Sequence, residues 1–211
     1  MPATPSSRPK ATPAQWKAAA LKIWKADGNK GPLPEAYVVV CPGYYLNSMG
    51  EVGRNDRGIN DDAFYIHGID IAAAFNGNAD PSIHRSEIAT LKPGQIVWYR
   101  PGPHGIGRPS EHEAFRQDSP VIVKRDNLVK PAGFVHKTRG VSLGDGYWTD
   151  ANYPSRFWTN LHRQSWQSTS SEGCLTIPRE QWEAFRETVY LAISRAKLKR
   201  FPAIILEGPF A

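Results

Sequence analysis

The distribution of glycine and proline constrains the fold of this chain more than any other feature of its sequence. The 18 glycines and 18 prolines among 211 residues recur in many short clusters, which favour turns and interrupt helices. Several of the stretches between these clusters are short and apolar, as in Tyr-Val-Val-Val-Cys at 37–41. The sequence therefore predicts a mainly β (α+β) fold of short strands joined by turns, with one helix near each end.

The N-terminal segment divides into an arm and a helix. Residues 1–11 are rich in Pro and Ser and are predicted to form a flexible arm, and residues 12–211 are predicted to form one domain. Thr12 is the predicted N-cap and Pro13 the first residue of a helix over 13–26. Its apolar residues follow helical spacing: Trp16, Ala19, Ala20, Ile23 and Trp24.

A second helix is predicted near the C-terminus. Pro178 begins it, Thr176 or Ile177 caps it, and it extends to about Lys197. Its apolar face consists of Trp182, Phe185, Val189 and Ile193. Strands are predicted at 37–41, 63–67, 95–99, 121–126, 133–137, 157–162 and 201–206. The segment Pro-Gly-Pro-His-Gly at 101–105 is predicted to interrupt the chain after the third of these strands.

The charge of the chain indicates an anionic partner. A net charge of +6 and an isoelectric point near 9.4 suit a nucleic acid, an acidic membrane surface or an acidic cell-wall polymer. The basic residues are dispersed and form no block of the nucleic-acid-binding type, so we predict no nucleic-acid partner. The N-terminus lacks the apolar core of a signal peptide, and no apolar run is long enough to span a bilayer. We expect a soluble monomer that is made in the cytoplasm and does not insert into a membrane.

Cys174 and His162 are the residues whose types most directly suggest chemistry. A thiol becomes a useful nucleophile near neutral pH when a base or a cation lies close to it. The polar segment after His162 could return Cys174 to its side, and Gly173 permits a close backbone approach. The alternative is a structural histidine and a buried cysteine that are merely close in sequence. Cys41 lies in an apolar strand and is predicted to be an inert buried thiol, and no CxxC metal motif is present.

The motif around these two residues resembles the signature of the L,D-transpeptidase (YkuD) catalytic domain. Leu161-His162, a Ser/Thr-rich spacer and Ser-Glu-Gly-Cys-Leu-Thr at 171–176 are similar to the family pattern of His, a variable spacer, Ser-x-Gly-Cys and an aliphatic residue. The resemblance implies a curved, mostly β fold. It also implies a cysteine that attacks a stem peptide of peptidoglycan, forms a thioester and passes the acyl group to an amine or to water. Segments at 43–45, 55–59, 61–63 and 74–82 further resemble a phage and prophage branch.

The resemblance assigns a role to each residue of the motif. Cys174 would be the nucleophile, His162 its base, and the backbone carbonyl of Arg163 would orient the imidazole ring. Ser171 and Gly173 would shape the loop and an oxyanion hole of backbone N–H groups. The resemblance implies no cofactor and no metal.

Substrate recognition is where the chain departs from the family pattern. The second position after the nucleophile, which is often Arg or Asn in the family, is Thr176 here. We keep Thr176 among the substrate-binding candidates but assign recognition of a substrate carboxylate to Arg163, Arg156 or Arg139. Trp158 is predicted to line a groove for a sugar or a peptide, and core packing explains such aromatic residues equally well.

The five other histidines give little support to a zinc site. No HxxxH or HxH pair occurs, so surface or supporting roles are favoured over metal ligation. His67 and His136 are the two candidates for a position near Cys174.

One principal hypothesis and two alternatives follow. The principal hypothesis is an enzyme, a cysteine peptidase or L,D-transpeptidase, that acts on bacterial peptidoglycan after phage lysis or a secretion machine delivers it to the cell wall. Hydrolysis and transpeptidation both remain open, since both use the thioester. The first alternative is a non-catalytic wall-binding or virion protein that keeps the fold. The second alternative, motivated by charge alone, is a nucleic-acid-binding domain.

Overall fold

A computed structural model describes residues 11–44, 58–82, 85–165 and 172–208. Within these residues the chain is mainly β, with two helices and thirteen strands, which confirms the predicted fold class. The helices are α1 (Pro13–Ala26) and α2 (Arg179–Arg195). The strands are β1 (Tyr37–Cys41), β2 (Asp62–Gly68), β3 (Ile71–Gly77), β4 (Ala89–Leu91), β5 (Gln95–His104), β6 (His112–Gln117), β7 (Ile122–Arg125), β8 (Val135–His136), β9 (Gly140–Gly144), β10 (Tyr147–Thr149), β11 (Leu161–Arg163), β12 (Leu175–Ile177) and β13 (Phe201–Ile205).

The strands form a large sheet and a small one. The eight-stranded sheet has the order β12-β11-β6-β5-β13-β1-β2-β3, and the five-stranded sheet has the order β4-β7-β10-β9-β8. Two pairs, β1 with β13 and β11 with β12, are parallel. Side chains alternate between the faces of a strand, so Val38 and Val40 of β1 pack in the core that contains α2 and the small sheet, whereas Tyr37 and Val39 pack with α1. Neither helix is long and apolar enough to cross a membrane.

The predicted N-terminal helix is confirmed and belongs to the folded core. Thr12 forms a capping box at its start. Trp16 is fully buried and stacks on Tyr65 of the large sheet with ring centroids 5.1 Å apart. Ala11, which we predicted to lie in the flexible arm, is buried against this helix layer. Residues 1–10 of the predicted arm lie outside the described residues.

The prediction that the Pro/Gly segment at 101–105 interrupts the chain is wrong. The strand continues as β5 to His104 and pairs with β6 through Pro101 and Pro103. The ladder between β5 and β13 ends at Tyr99. Beyond that point one side of β5 has no neighbouring strand in the large sheet, so a proline that lacks an N–H group costs no ladder hydrogen bond there.

The strand predicted at 157–162 is shorter than expected and begins only at Leu161. Trp158 has a φ of 59°, in the left-handed region, which ends any extended run. The N–H group of Thr159 donates to the side-chain oxygen of Gln117 at 3.0 Å instead of joining a sheet ladder. A buried amide therefore replaces the missing strand partner.

The second helix is confirmed, but its predicted cap is wrong. Pro178 is the N-cap residue and provides no side-chain hydrogen bond. Thr176 and Ile177 lie in β12 instead, where sheet pairing satisfies their backbone. Both residues are fully buried. Only Pro178 separates the end of β12 from the start of α2.

We predict that replacement of Trp16 destabilises the whole domain. Removing a buried indole from the interface between α1 and the sheet should lower the free energy of unfolding by about 3–5 kcal/mol. Chemical denaturation of Trp16→Ala measures this loss. Lys22→Ala, at an exposed position of the same helix, should change it by less than about 0.5 kcal/mol. Equal stability of the two variants would show that α1 is not part of the cooperative core.

Candidate active site

The parallel pair β11 and β12 brings His162 and Cys174 together. His162 lies opposite Thr176 in the ladder, and Cys174 immediately precedes β12. The N–H group of Leu175 donates to the carbonyl of Asn160 at 2.9 Å, which fixes the chain immediately after the cysteine. As a result, the Sγ atom of Cys174 and a ring nitrogen of His162 lie within 4.8 Å of each other.

A backbone carbonyl orients the His162 ring. His162 is 5% exposed, and its Nδ1 lies 2.7 Å from the carbonyl oxygen of Arg163. A carbonyl can only accept, so Nδ1 carries the proton and Nε2 carries the lone pair. This is the hydrogen bond that the resemblance implied for Arg163. The guanidinium of Arg163, in contrast, lines neither of the two cavities described below.

The Cys174 thiol donates to a backbone carbonyl. Its Sγ lies 3.5 Å from the carbonyl oxygen of Trp158, and the left-handed backbone of Trp158 turns this oxygen toward the cysteine. The indole of Trp158 is 40% exposed and stacks on the guanidinium of Arg116 at 4.4 Å. The exposed ring lines the cavity at Cys174.

Gly173 is required by the geometry of the loop. Its φ is 139°, which side-chain-bearing residues rarely adopt, and a Cβ atom there would lie 3.0 Å from the Cβ of Ala89 in β4. The loop therefore packs directly against the small sheet. Ser171, which was assigned to the same loop, lies outside the described residues.

Two histidines that were not expected at the site surround His162. His104 ends β5 and His112 begins β6, and the two are paired in the ladder. His104 stacks on His162 with ring centroids 4.3 Å apart, and Nε2 of His112 lies 3.4 Å from Nδ1 of His162. No local signal in the sequence indicated this placement, because the prolines and glycines at 101–105 favour a turn over a strand.

The two histidines that we named as candidates for a position near Cys174 lie elsewhere. His67 is on β2 and stacks on Tyr37 at 4.7 Å. His136 is on β8 at the edge of the small sheet, edge-on to Trp148. Neither lines the cavity around the cysteine.

Burial keeps His162 and His104 neutral. Desolvation, with a smaller effect from His104, lowers the pKa of His162 to about 3. The pKa of His104 is also lowered, by burial first and then by the nearby His112 and Arg108. At neutral pH two uncharged imidazoles, those of His162 and His104, therefore lie beside the cysteine.

The cluster does not have the geometry of a metal site. Among the described residues, Cys174, His162 and His104 are the group whose donor atoms approach closely enough to share an ion. The two rings are stacked with planes 16° apart, so their in-plane lone pairs run side by side and do not converge on one point. Metal-binding histidines also donate their second N–H to an acceptor, whereas Nδ1 of His104 lies 2.9 Å from the amide nitrogen of Asn160.

A cationic groove adjoins the active-site cavity. The cavity at Cys174 has a volume of about 380 Å³ and shares lining residues with a second cavity of about 620 Å³. The shared residues are Arg125, Phe157, Trp158 and Glu172. The second cavity is also lined by the basic residues Arg85, Lys137, Arg139 and Arg156. The groove therefore suits an anionic ligand.

The basic residues of the groove are held differently. Arg139 forms an ion pair with Glu87 at 2.8 Å, whereas Arg156 has no carboxylate partner among the described residues. Arg125, which we did not predict, is 7% exposed and donates to the carbonyl of Glu87 at 3.0 Å. Burial lowers the pKa of Arg125 to about 10, so it stays charged at neutral pH.

Thr176 is inaccessible to a substrate, which contradicts its place among the substrate-binding candidates. It is 0% exposed, and its hydroxyl accepts a hydrogen bond from the Asn78 side chain at 3.1 Å. The backbones of the two residues also bridge. Thr176 thereby links β12 to the residue that follows β3, and this link stabilises the strand that Cys174 immediately precedes.

Comparison with known proteins identifies no relative. The chain matches no family model, no curated protein and no solved structure. The geometry of the site is therefore the basis for any functional conclusion.

We predict that His162 makes the protein less stable in acid. Its pKa of about 3 in the folded state compares with about 6.5 in an unfolded chain, so unfolding takes up a proton between these values. The stabilisation is complete above pH ~6.5 and is lost as the pH falls, at up to roughly 1.4 kcal/mol per pH unit.

Denaturant unfolding between about pH 7.5 and pH 4 tests this prediction. In His162→Gln, which has no titrating ring, the loss of stability over this range should be smaller than in the wild type. Equal slopes would contradict a neutral buried His162.

Proposed function

We propose that the protein is a cysteine acyl-transfer enzyme that acts on stem peptides of bacterial peptidoglycan. The observation that carries the proposal is the constellation of one thiol and two imidazoles within 4.8 Å in a cavity open to solvent. A thiol and a base in one accessible cavity can perform nucleophilic acyl transfer.

The hydrogen bonds define the starting state of this chemistry. Because His162 is a weak base with a pKa of about 3, the resting pair is a neutral thiol and a neutral imidazole. The thiol proton first points to the carbonyl of Trp158. Rotation of the Cys174 side chain brings the proton to Nε2 of His162 as Sγ attacks the substrate carbonyl carbon, so no long-lived thiolate is required.

The acyl group then passes through a thioester. Nε2 of His162 returns its proton to the leaving amine, and the acyl group remains bonded to Sγ. Attack by water gives a peptidase, and attack by a second amine gives a transpeptidase. We propose a peptidase, in which water takes the acyl group. Cross-linking by the same thioester is the alternative.

The substrate class is supported by two features. The motif resembles that of L,D-transpeptidase catalytic domains, whose substrates are stem peptides. The cationic groove beside Cys174 adds Arg125 and Arg156 at positions where carboxylates of such a peptide would bind. The motif favours an enzyme over a wall-binding protein or a nucleic-acid-binding domain, whereas the groove supports an anionic ligand of any of these classes.

We predict that turnover requires Cys174 and not Cys41. Purified muropeptides are incubated with wild type, Cys174→Ala and Cys41→Ala, with and without an added amine, and the products are analysed by mass spectrometry. Cys174→Ala should lose all turnover. Cys41→Ala should keep it, because that thiol is buried and hydrogen-bonded to the carbonyl of Gly208. Products that gain water indicate hydrolysis, and products that gain the amine indicate transfer. Turnover by Cys174→Ala, or none by wild type, would contradict the proposal.

We also predict that Arg156 contributes to binding and not to chemistry. Arg156→Ala should raise KM about 5- to 10-fold and leave kcat unchanged, since a substrate carboxylate loses one partner in the ground state and in the transition state alike. The effect should shrink as salt is added. Lys22→Ala, an exposed lysine on α1, is the matched loss of charge and should leave KM unchanged. A fall in kcat without a change in KM would contradict this assignment.

A further inference from the structure

The hydrogen bonds around the three site histidines determine where each ring carries its proton. Nδ1 of His162 faces the carbonyl oxygen of Arg163, and Nδ1 of His112 lies 2.7 Å from the carbonyl oxygen of Ser110. Both nitrogens face acceptors, so both rings are protonated on Nδ1. Nε2 of His112 then carries a lone pair, which also accepts a hydrogen bond from Nδ1–H of His162.

His104 has the opposite arrangement. The amide of Asn160 is oriented by the backbone N–H of Gln117, which donates to its Oδ1 at 3.1 Å. The Nδ2 group of Asn160 therefore faces Nδ1 of His104 at 2.9 Å and can only donate to it. Nδ1 of His104 is an acceptor, and the proton of the neutral ring lies on Nε2.

Buried groups reinforce this arrangement. The side chain of Gln117 donates to the carboxylate of Asp150 at 2.6 Å, and its oxygen accepts from Thr159. Asn160, Gln117 and Asp150 are 4%, 2% and 0% exposed. Since every member of this network has a defined donor or acceptor, the Asn160 amide cannot turn over without leaving buried groups unpaired.

His104 consequently cannot act as a base. A proton on Nδ1 would place two donors, the ring N–H and the amide of Asn160, against each other. A positive charge would also lie against the stacked ring of His162, which must itself accept a proton during acyl transfer. The remaining capability of His104 is to donate the hydrogen bond of Nε2–H.

We propose that His104 is a side-chain oxyanion donor, whose neutral imidazole stabilises the tetrahedral intermediate formed on Cys174. This inference rests on the proposed acyl-transfer function. In the step concerned, the Sγ–C bond forms, the thiol proton moves to Nε2 of His162, and the π electrons of the substrate carbonyl move onto its oxygen. That oxygen is two bonds from Sγ, and His104 lines the same cavity with a ring nitrogen within 4.8 Å of Sγ. The role requires that this nitrogen is Nε2, which carries the proton. When the intermediate collapses, the bond to the leaving group breaks and the oxygen releases the hydrogen bond.

Comparison of acylation with alkylation tests the role without the natural substrate. Acylation of Cys174 by p-nitrophenyl acetate passes through an oxyanion and releases p-nitrophenolate, whereas alkylation by iodoacetamide does not form one. His104→Phe should slow acylation about 10²–10³-fold and change alkylation by less than about threefold. His104→Gln, which can supply an amide N–H, should recover part of the acylation rate.

A substitution that moves the His104 proton from Nε2 to Nδ1 tests the role through the pH dependence of acylation, which a purely structural role of His104 would leave unchanged. Asn160→Asp can still accept from Gln117 but now also accepts from Nδ1 of His104. Neutral His104 then loses its Nε2–H, while protonated His104 retains it. The rate of acylation should therefore gain a new decline on the alkaline side of the pH profile, with activity recovered as the pH is lowered.

The outcomes separate this inference from the proposed function. Nitrogen-15 NMR of the wild-type histidines should show the His104 proton on Nε2 and the His162 proton on Nδ1. A His104 proton on Nδ1, or equal slowing of acylation and alkylation in His104→Phe, would overturn the inference while Cys174 remains an acyl acceptor. Absence of any Cys174-dependent acylation in wild type would overturn the proposed function and the inference with it.

Discussion

The order β12-β11-β6-β5 along one side of the large sheet is the constraint on which the candidate site depends. Parallel pairing of β11 with β12 places Cys174 beside His162. Antiparallel pairing of β6 with β11 and with β5 then places His112 and His104 next to the same ring. Each strand contributes one residue at or next to its end, so backbone ladders, not flexible loops, set the distances within the site.

Buried neutrality is the second physical feature of the site. Desolvation opposes a charge on His162, and the neighbouring rings would repel one. Under the proposed function, the cysteine–histidine pair would rest without charge separation and would move its proton only as the bond to the substrate forms. Such chemistry would need fixed dipoles to receive the negative charge that develops on the substrate oxygen. The buried network of Asn160, Gln117 and Asp150 holds His104 in the form that carries its proton on Nε2.

The sequence predicted the features that depend on local patterns. The capping of α1 at Thr12, the apolar face of α2 and the central strands follow from spacing and composition, and the structure contains them. The approach of His162 to Cys174 was also predicted, because the polar segment between them could return the cysteine to the histidine. The position of His104 depends on strand pairing between segments that are separate in sequence, which local propensity does not predict. It also depends on prolines inside a strand, which local propensity disfavours. Arg125 was missed for a related reason. It is the last residue of β7, and the sequence of this strand does not indicate that its end lies at the groove.

Direct observation of an acyl group on Cys174 is the measurement that tests this account most directly. Wild-type protein is mixed with a purified muropeptide, quenched in acid at short times and analysed by intact mass and peptide mapping. The account predicts a transient increase equal to the mass of the acyl portion of the stem peptide, located on the peptide that contains Cys174 and absent from Cys174→Ala. Turnover of the muropeptide with an unmodified Cys174 at every time point, and equal turnover by Cys174→Ala, would contradict it.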